Sequence, residues 1–371
     1  MRTEQWIKDV CHEWADNLPE CRGGFAESVL PTWQKGPERS YTMLTQARLA
    51  FTFLHSCPEH PAAERSIFRV MDLFWDSQEL GWIRSCSAEG KPIDKTIDTY
   101  DQGFGLLSLA WNYRRKENEA AKERAYEALE GLNRFTRDEN HGGFWERRNG
   151  TDPSPLVRYP DLRRQNPHMH LLEGFLAWKE ADPKGPWLLQ ARSIVELFRT
   201  RFRVAGNGHL AEYFEKDWTL VRGEPGIIRE PGHQYEWVWL LYQYERATGD
   251  RSIREDAEKL YSFARDKGTD TDGLAFASIT DEGRVMDDRK LLWPQTEMLK
   301  AHLAMYHWTQ DRDCRKAAEA AYSALRARFM LPDGALFYNQ LDREGRPVAE
   351  PSLSRLLYHL YVGAYEAEQR L

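Results

Sequence analysis

The sequence predicts an all-α fold, a single (α/α)6 barrel of twelve helices arranged as six helical hairpins. Three observations lead to this prediction. A glycine-centred segment recurs six times along the chain. Two kinds of helix alternate between the copies, one amphipathic and one apolar on nearly every face. No linker rich in Pro, Gly or Ser divides the 371 residues, so we expect one domain over 1–371.

The repeated segment is a glycine followed closely by aromatic or apolar residues. It recurs every 57–65 residues. Turn-rich stretches follow most copies, among them 149–153 and 342–347, and predict short hairpins or irregular loops. The copies are Gly24-Phe25, Gly81-Trp82, Gly143-Phe144-Trp145, Gly208-His209-Leu210, Gly273-Leu274-Ala275-Phe276 and Gly334-Ala335-Leu336-Phe337.

The two kinds of helix predict an outer and an inner ring. The amphipathic helices carry Glu, Lys and Arg on one face, which is exposed to water. We expect these outer helices near 2–18, 60–78, 117–138, 185–203, 250–267 and 311–329. The other helices are apolar all round and therefore buried. We expect these inner helices near 40–56, 97–114, 166–181, 231–247, 290–308 and 352–368. Tetratricopeptide and HEAT repeats are shorter and form open solenoids, so a closed barrel is favoured.

Composition and charge exclude several classes of protein. With 41% hydrophobic and 29% charged residues, the chain is typical of globular proteins. The net charge of −7, with acids and bases interspersed, argues against a nucleic-acid-binding surface. No run approaches the ~20 apolar residues of a membrane span, and no secretion signal is recognisable. The five cysteines are scattered without a CxxC pair, which argues against a disulfide framework and favours a cytoplasmic location.

The segment 231–237, Pro-Gly-His-Gln-Tyr-Glu-Trp, is the first candidate for a functional site. Pro231 and Gly232 precede a long apolar run and indicate a helix start. His233 and Glu236 are three residues apart, so they share a face of that helix. Burying an imidazole and a carboxylate among tryptophans is costly, which favours a functional role, although a structural core histidine is an equal alternative.

Every predicted inner helix carries ionisable or amide groups in an otherwise apolar stretch. In such a barrel the starts of the inner helices line one mouth, so these groups predict a shared polar cavity. They are Tyr41, Gln46, Arg48, Asp98, Tyr100, Asp101, Gln102, Asn166, His168, His170, Glu173, His233, Glu236, Gln295, Glu297, Tyr358 and His359.

Some of these residues have alternative interpretations. His168, His170 and Glu173 could bind a metal, but positions i and i+2 do not share a helix face and the HExxH spacing is absent, so we predict no metal. Arg48 could form an internal ion pair, with Glu173 or with Glu236.

Other candidates have a structural alternative as well. Asp101 could cap or brace a neighbouring helix. Trp293-Pro294 could be only a helix start. His359 has no partner nearby in the sequence, so a core histidine is as good an interpretation as a catalytic one. Arg158, Arg163, Arg164 and Arg222, in the loops 145–165 and 208–230, are predicted to be solvated charges rather than a phosphate site.

Three segments resemble the signature segments of the N-acylglucosamine 2-epimerase superfamily, which includes cellobiose 2-epimerases and aldose–ketose isomerases acting on mannose. They are 166–173 (NPHMHLLE), 231–237 (PGHQYEW) and 293–297 (WPQTE), in the family's order. Residues 100–104 (YDQGF) resemble the family's fourth-helix segment. The resemblance covers nearly the whole chain and implies the (α/α)6 barrel that the repeats predict.

The resemblance also implies roles for individual residues. His233 would be one acid/base and His359 the second, the latter on a weaker match in the last helix. Arg48, His170, Glu173 and Glu236 would hold the sugar hydroxyls and the developing enediolate. The further candidates for substrate binding are Tyr41, Asp101, His168, Trp293, Gln295 and Glu297. We expect neither a metal nor a cofactor.

The implied chemistry is a proton transfer next to a sugar carbonyl. That proton is a poor acid, so its removal requires a base of near-neutral pKa and a group that stabilises the negative oxygen. Histidine supplies the base without a metal, and Arg48 would stabilise the enediolate. A glutamate paired with His233 would orient its ring. Return of the proton to C1 gives the ketose, whereas return to C2 from the opposite face gives the epimer.

The leading hypothesis is a metal-independent isomerase of the D-mannose/D-fructose type, because 293–297 is closer to the mannose isomerase branch. A 2-epimerase acting on mannose/glucose, an N-acylhexosamine or cellobiose is the alternative. An inverting glycoside hydrolase, with carboxylates from Asp101, Glu173, Glu236 and Glu297, or a non-catalytic binding barrel fits less well. We expect a monosaccharide as the partner, and a monomer or homodimer that binds neither nucleic acid nor membranes.

Overall fold

The computed structural model describes residues 6–148, 158–204, 206–332 and 334–371. The turn predicted at 149–153 and the start of the first predicted helix lie outside these residues. Within the described ranges, no helix combines the length and the apolar character needed to cross a membrane. All five cysteines are free thiols.

The described residues form thirteen α-helices connected by short strands. Twelve correspond to the predicted helices, and the extra one, α8, is a single turn ahead of α9. The helices are α1 (Trp6–Asn17), α2 (Met43–Ser56), α3 (Pro61–Phe68), α4 (Thr99–Lys116), α5 (Glu119–Phe135), α6 (Asn166–Ala181), α7 (Trp187–Leu197), α8 (Glu224–Ile227), α9 (Pro231–Thr248), α10 (Arg254–Gly268), α11 (Leu292–Thr309), α12 (Arg312–Ala324) and α13 (Leu357–Arg370).

Several helix ends differ from the prediction for local reasons. α3, α7 and α12 each continue into one π-helical turn, Arg69–Leu73, Phe198–Phe202 and Leu325–Phe329, so each predicted outer helix consists of two pieces. α13 begins later than the predicted residue 352. Its predicted start is a two-residue strand followed by a 3-10 turn, because the hydroxyl of Ser352 is bonded to the backbone of Phe337.

The chain divides into two compact units. The N-terminal unit comprises Ala15–Phe202 and Tyr213–Val221, and the C-terminal unit comprises Met1–Trp14, Arg203–Glu212 and Arg222–Leu371. In the N-terminal unit α2, α4 and α6 pack side by side, and α3, α5 and α7 each pack against the helix before them. In the C-terminal unit α9, α11 and α13 pack side by side, with α10 against α9 and α12 against α11. One domain over 1–371 stays a prediction.

The predicted alternation of buried and amphipathic helices is confirmed in both units. α9 is buried from Pro231 through Tyr242, and α2 is buried along nearly its whole length. α5 instead buries only a stripe at helical spacing that includes Ala121, Ala125 and Leu132. The buried helices therefore supply the core, and the polar groups on them are withdrawn from water.

Short antiparallel strands accompany the glycine segments. In the N-terminal unit they are Glu20–Cys21, Gly24–Phe25, Ser28–Val29, Tyr41–Thr42, Trp75–Asp76, Gly81–Trp82, Ser85–Cys86, Pro92–Asp94, Ile97–Asp98, Arg147–Arg148, Arg163–Arg164 and Tyr213–Phe214. In the C-terminal unit they are Ile228–Arg229, Ser278–Thr280, Val285–Asp287, Lys290–Leu291, Gln340–Leu341 and Ser352–Leu353. Their main function is to lead the chain back into the next buried helix.

A side chain at the start of each buried helix, or in the strand ahead of it in the case of α13, fixes the backbone of the preceding hairpin. In α2, Oε1 of Gln46 accepts a hydrogen bond from the Phe25 amide at 2.9 Å, and its Nε2 donates to the Phe25 carbonyl at 3.0 Å. We call such a side chain an anchor residue. The other anchors and their hairpin partners are Gln102 with Trp82, His168 with Phe144, Gln234 with Leu210, Gln295 with Ala275, and Ser352 with Phe337.

The substitution Gln102→Leu tests the energetic weight of an anchor. It leaves the amide and carbonyl of the fully buried Trp82 without their partner, and each unsatisfied buried group costs about 1–3 kcal/mol. We expect the free energy of unfolding, measured in urea, to fall by about 2–4 kcal/mol. The exposed Gln78→Leu is the control and should change it by less than about 0.5 kcal/mol. Equal effects would contradict the anchor role.

The substitution His168→Gln tests the anchor that differs from the others. Burial, with help from Arg163, lowers the pKa of His168 to about 3. Between this pKa and the ordinary histidine pKa of about 6.5, His168 is protonated in the unfolded chain but not in the folded one. The folded state therefore loses stability as the pH is lowered through this range. Glutamine keeps the anchor and removes the titration. We expect the variant to retain its stability at pH 7 and, relative to wild type, to gain about 2 kcal/mol at pH 5.

Urea unfolding at the two pH values measures this difference. The buried His209 and His302, whose pKa values burial lowers to about 4, remain in the variant, so its acid sensitivity is reduced rather than abolished. An unchanged loss of stability between pH 7 and pH 5 would show that His168 does not titrate on unfolding.

Candidate active site

His233 lies in the first turn of α9, in the C-terminal unit, and is 6% exposed. Its Nδ1 is 2.8 Å from Oε2 of Glu212 and 3.5 Å from Oε2 of Glu230. Burial by itself would lower the pKa of the imidazole, but the two carboxylates outweigh it and raise the pKa of His233 to about 10. His233 therefore carries a proton at neutral pH.

The glutamate that orients His233 is Glu212, a residue that the sequence analysis missed. Glu236, the neighbour one helical turn away, acts on His233 only as a more distant charge. Glu212 also accepts a hydrogen bond from the Glu230 amide through Oε1, at 3.1 Å. The carboxylate of Glu212 thus accepts one hydrogen bond from the backbone at the start of α9 and contacts the imidazole of His233 with its other oxygen.

The position of Glu212 recurs in other repeats. A glutamate three or four residues after the hairpin glycine accepts an amide hydrogen bond from the strand that leads into the next buried helix. Glu27 does so from Thr42 at 2.7 Å, and Glu146 from Arg164 at 2.8 Å. This recurrence of Gly…Glu is the sequence signal by which Glu212 could have been found.

His359 lies in α13 and is 4% exposed. Its Nδ1 is 2.9 Å from Oε1 of Glu297, which lies 62 residues earlier in the chain on α11. The other oxygen of Glu297 is 2.6 Å from Nζ of Lys300, and both of these side chains are fully buried. The sequence offered no partner for His359, because the pair forms only when α11 and α13 pack together.

Trp293 lies close to both histidines. Its ring centroid is 5.0 Å from that of His233 and 5.9 Å from that of His359. A Cβ on Gly232 would lie 2.5 Å from the indole, so only glycine allows Trp293 to pack against the start of α9. A role for Trp293 in substrate binding stays a prediction.

The carboxylates form two groups that contain possible metal ligands. Among the described residues, Glu236, Glu297 and His359 bring ligand atoms within 4.8 Å of one another, and Glu212, Glu230 and His233 do the same. In both groups the imidazole is already hydrogen-bonded to a carboxylate, and the Lys300 ammonium forms an ion pair with Glu297. A cation would have to displace these contacts. The absence of a metal remains a prediction.

The N-terminal unit contains a second cluster, on α2, α4 and α6. Arg48 donates a hydrogen bond from Nη2 to the Tyr100 hydroxyl at 2.8 Å, and its guanidinium lies 4.2 Å from the ring centroid of Phe104. The His170 ring packs against both aromatic rings, at 4.9 and 4.5 Å. Nδ1 of His170 is 3.3 Å from Oε2 of Glu173. Three of the predicted residues, Arg48, His170 and Glu173, thus belong to one buried group.

Asp101 lies in the first turn of α4 and is 5% exposed. Burial and the nearby Asp98 raise its pKa well above the usual range, while Arg84, Arg48 and Arg164 act in the opposite direction. The cap of α4 is Asp98, whose side chain accepts the hydrogen bond from the Tyr100 amide, so Asp101 does not cap this helix. Asp101 is instead a buried acid that favours its neutral form.

Two predicted substrate-binding residues are anchors. Gln295 donates from Nε2 to the carbonyls of Ala275 and Leu291 and accepts through Oε1 from the Ala275 amide. His168 accepts through Nε2 from the Phe144 amide at 2.8 Å. These contacts use the polar atoms of both side chains in the scaffold, and substrate binding by either residue stays a prediction.

Tyr41 and two loop arginines also differ from the prediction. The Tyr41 hydroxyl interacts with Cys21 and Lys35, so Tyr41 is not part of the Arg48 cluster. Arg163 forms a buried ion pair with Asp138 at 2.6 Å, and Arg164 pairs with Glu146 at 2.8 Å. Neither arginine is a solvated charge, and neither is available to a phosphate.

The site residues and the anchors are separated by a fixed offset. Two positions on a helix differ by about 200°, so residues i and i+2 point in nearly opposite directions. In five buried helices the residue two positions after the anchor belongs to one of the clusters described above. These residues are Arg48, Phe104, His170, Glu236 and Glu297.

Comparisons with known proteins identify the family of the chain. Residues 34–363 match the sequence profile of the N-acylglucosamine 2-epimerase (GlcNAc 2-epimerase) family. A mannose-6-phosphate isomerase of Rhizobium meliloti (strain 1021) is 32% identical over 297 residues, which cover 77% of this chain and 73% of that protein.

Solved structures show the same fold. The cellobiose 2-epimerase of Spirochaeta thermophila DSM 6192 superimposes with a TM-score of 0.87 at 21% identity, over 99% of this chain and 94% of that one. A D-mannose isomerase superimposes with a TM-score of 0.87 at 19% identity, over 100% and 97%. These proteins are (α/α)6 barrels, so the predicted fold class is confirmed. The chain therefore belongs to the N-acylglucosamine 2-epimerase family, a family of enzymes that isomerise or epimerise sugars.

Proposed function

We propose that the protein is a metal-independent aldose–ketose isomerase that interconverts D-mannose and D-fructose, with His233 and His359 as the proton-transfer residues. The names of its relatives support the choice of sugar, since they include a mannose-6-phosphate isomerase and a D-mannose isomerase. The arrangement of the two histidines supports the type of chemistry.

The observation that carries the proposal is that each of two buried histidines is bonded through Nδ1 to a glutamate. His233 bonds to Glu212 and His359 to Glu297. A neutral imidazole that donates from Nδ1 to a carboxylate has its lone pair on Nε2, so Nε2 is the atom that takes up or releases a proton. Trp293, close to both rings, provides an apolar surface for a sugar.

The reaction requires the open-chain sugar and then moves one proton between carbons. A base removes the proton from C2 of the aldose, and the C2 electron pair forms the double bond to C1 while the carbonyl oxygen becomes an enediolate oxygen. Delivery of a proton to C1, with transfer of the hydroxyl proton from O2 to O1, yields the ketose. Atoms and electrons balance without any oxidant, so two acid/base groups and a stabiliser of the enediolate are sufficient.

We propose that the cluster of the N-terminal unit binds the substrate. Arg48 provides a permanent positive charge for the enediolate oxygen. His170 and Glu173 provide polar atoms for sugar hydroxyls, and Asp101, in its neutral form, can donate a hydrogen bond as well as accept one. In the C-terminal unit, Glu236 has the corresponding role.

A 2-epimerase is the second candidate function, because two acid/base histidines also permit proton return to C2 from the opposite face. The cellobiose 2-epimerase among the similar structures supports this alternative. Glycoside hydrolysis is less well supported, because Glu297 is bonded to both Lys300 and His359 rather than available as a free carboxylate. We further propose a cytoplasmic monomer or homodimer that needs no cofactor.

Incubation of the EDTA-treated protein with D-mannose in D2O, followed by NMR, tests the proposal. We expect D-fructose with deuterium at C1, which proton transfer through an enediol produces. D-glucose with deuterium at C2 would instead establish the epimerase. Mannose 6-phosphate, N-acetylmannosamine and cellobiose should be assayed in parallel. Turnover of only one of these would correct the substrate, and loss of activity in EDTA that Zn2+ or Mg2+ restores would contradict metal independence.

The substitution His233→Asn should lower kcat by about 100- to 10,000-fold, the usual contribution of a general acid or base. Asparagine keeps a polar group of similar size, so the fold should survive, which circular dichroism can check. His302→Asn is the control, since His302 is buried but bonds to the Tyr261 hydroxyl rather than to a carboxylate. Near-wild-type turnover by His233→Asn would exclude His233 as a catalytic residue.

The substitution Glu212→Gln tests the carboxylate that holds His233. Removing that negative charge should lower the pKa of the His233 ring by about one to three units, which a pH titration of the 15N-labelled histidines can follow. Glu27→Gln is the matched control, because Glu27 has the same hairpin position but bonds to Thr42 and Thr45. The prediction fails when the His233 ring titrates alike in wild type and Glu212→Gln.

A further inference from the structure

Lys300 is a fully buried lysine close to one of the two histidines. It lies on α11, three residues after Glu297, and its Nζ is 2.6 Å from Oε2 of that carboxylate. The ammonium also lies 4.0 Å from the ring centroid of Trp239. Burying an ammonium ion is costly even when it is paired, so a role for its charge is worth testing.

The contacts form a continuous chain of three ionisable groups. Lys300 forms an ion pair with one oxygen of Glu297, and the other oxygen is hydrogen-bonded to Nδ1 of His359 at 2.9 Å. The positive charge is therefore one carboxylate away from the imidazole. In a buried environment a charge at this range acts strongly on its neighbours, because little water screens it.

The surroundings of His233 provide the comparison. There Nδ1 faces two carboxylates, Glu212 at 2.8 Å and Glu230 at 3.5 Å. That arrangement raises the pKa of His233 to about 10, although burial alone would lower it. Glu236 adds a third, more distant negative charge, so carboxylates near a buried imidazole of this protein favour its protonated form.

His359 also faces two carboxylates. Glu297, on α11, is hydrogen-bonded to it. Glu236, on α9, has a carboxylate oxygen within 4.8 Å of a ring nitrogen of His359. Lys300, through Glu297, the ring of Trp293 and, on its own helix, Tyr358 also lie around it. Both histidines thus have a carboxylate at Nδ1, and the carboxylate at His359 is paired with an ammonium ion.

We propose that Lys300 is a positioning residue that offsets the charge of Glu297 and thereby keeps His359 unprotonated in the resting enzyme. The inference rests on the proposed function, since it gives the two proton-transfer residues opposite starting states. An enzyme that must remove one proton and supply another needs one neutral and one protonated group. Lys300 itself touches neither reacting carbon and acts through Glu297.

A purely structural role for Lys300 makes a different prediction. If the ammonium only satisfies a buried carboxylate, its loss lowers stability and leaves the titration of His359 unchanged. If it sets the charge of the site, its loss makes His359 more basic. Glu297 would then carry an unbalanced charge that favours the imidazolium.

The experiment compares wild type with Lys300→Met, which keeps the side-chain length without the charge, and Lys300→Arg, which keeps the charge. The rings of 15N-labelled histidines are titrated by NMR, with His359 assigned through His359→Gln. We expect the His359 titration to move to higher pH by about one to two units in Lys300→Met and to stay near its original position in Lys300→Arg. The His233 titration should not move.

Lys290→Met is the matched control. Lys290 is also fully buried and paired, with Asp270 at 2.8 Å, and it contacts the ring of Phe276 rather than a histidine. Its loss should lower stability without moving either histidine. If Lys300→Met does not fold, Lys300→Gln replaces it in the same titration. An unmoved His359 in the folded variant would overturn the proposal.

The pH dependence of kcat/KM provides a second measure in the reaction. Because the base must be neutral, the acidic limb of the profile should move to higher pH in Lys300→Met, so that activity lost at pH 7 is largely recovered at pH 9. A uniform loss at every pH would overturn the proposal. The NMR titration needs no substrate, so failure of the proposed isomerase activity and failure of the Lys300 proposal are distinguished.

Discussion

The hydrogen bonds between an anchor residue and the hairpin backbone are the interaction on which the remainder of the structure depends. A hairpin lying over buried helices has backbone amides and carbonyls that cannot reach water, and each must find a partner. Gln46, Gln102, Gln234 and Gln295 supply both a donor and an acceptor from one side chain. The hairpins are thereby held in register with the helices that carry the functional groups.

The glutamates of the hairpins show how a structural contact acquires a chemical role. Glu27, Glu146 and Glu212 all accept an amide from the chain that enters a buried helix. Only the second oxygen differs: it meets threonine hydroxyls at Glu27, an arginine at Glu146 and the imidazole of His233 at Glu212. The scaffold contact fixes the carboxylate before any substrate arrives, so the imidazole is oriented without further loss of entropy.

Repeats and hydrophobic patterns predicted the fold because they are local. The kinds of helix and the bounds of α6 followed from the sequence, whereas the π turns after α3, α7 and α12 did not, since nothing in the local pattern distinguishes them from helix. His233, Glu236 and Trp293 were predictable from one segment and one resemblance. The hydrogen bond between His359 and Glu297 forms only because α13 packs against α11. The two residues are 62 positions apart, so no local sequence pattern predicts it. The anchor contacts of Gln295 and His168 were not foreseen, because a polar residue in a buried helix indicates a buried partner but not which partner.

The two-residue offset between anchor and site residue determines which substitutions this fold tolerates. Since the residues that hold the hairpins and the residues that face the chemistry occupy opposite sides of the same helical turns, each can be replaced without disturbing the other. Arg48, Phe104, His170, Glu236 and Glu297 occupy equivalent places yet span four kinds of side chain. A library randomised at Arg48, Phe104, His170 and Glu236, with the anchors and the Glu297–Lys300 ion pair left untouched, would vary the chemistry of the site while keeping the hairpin contacts.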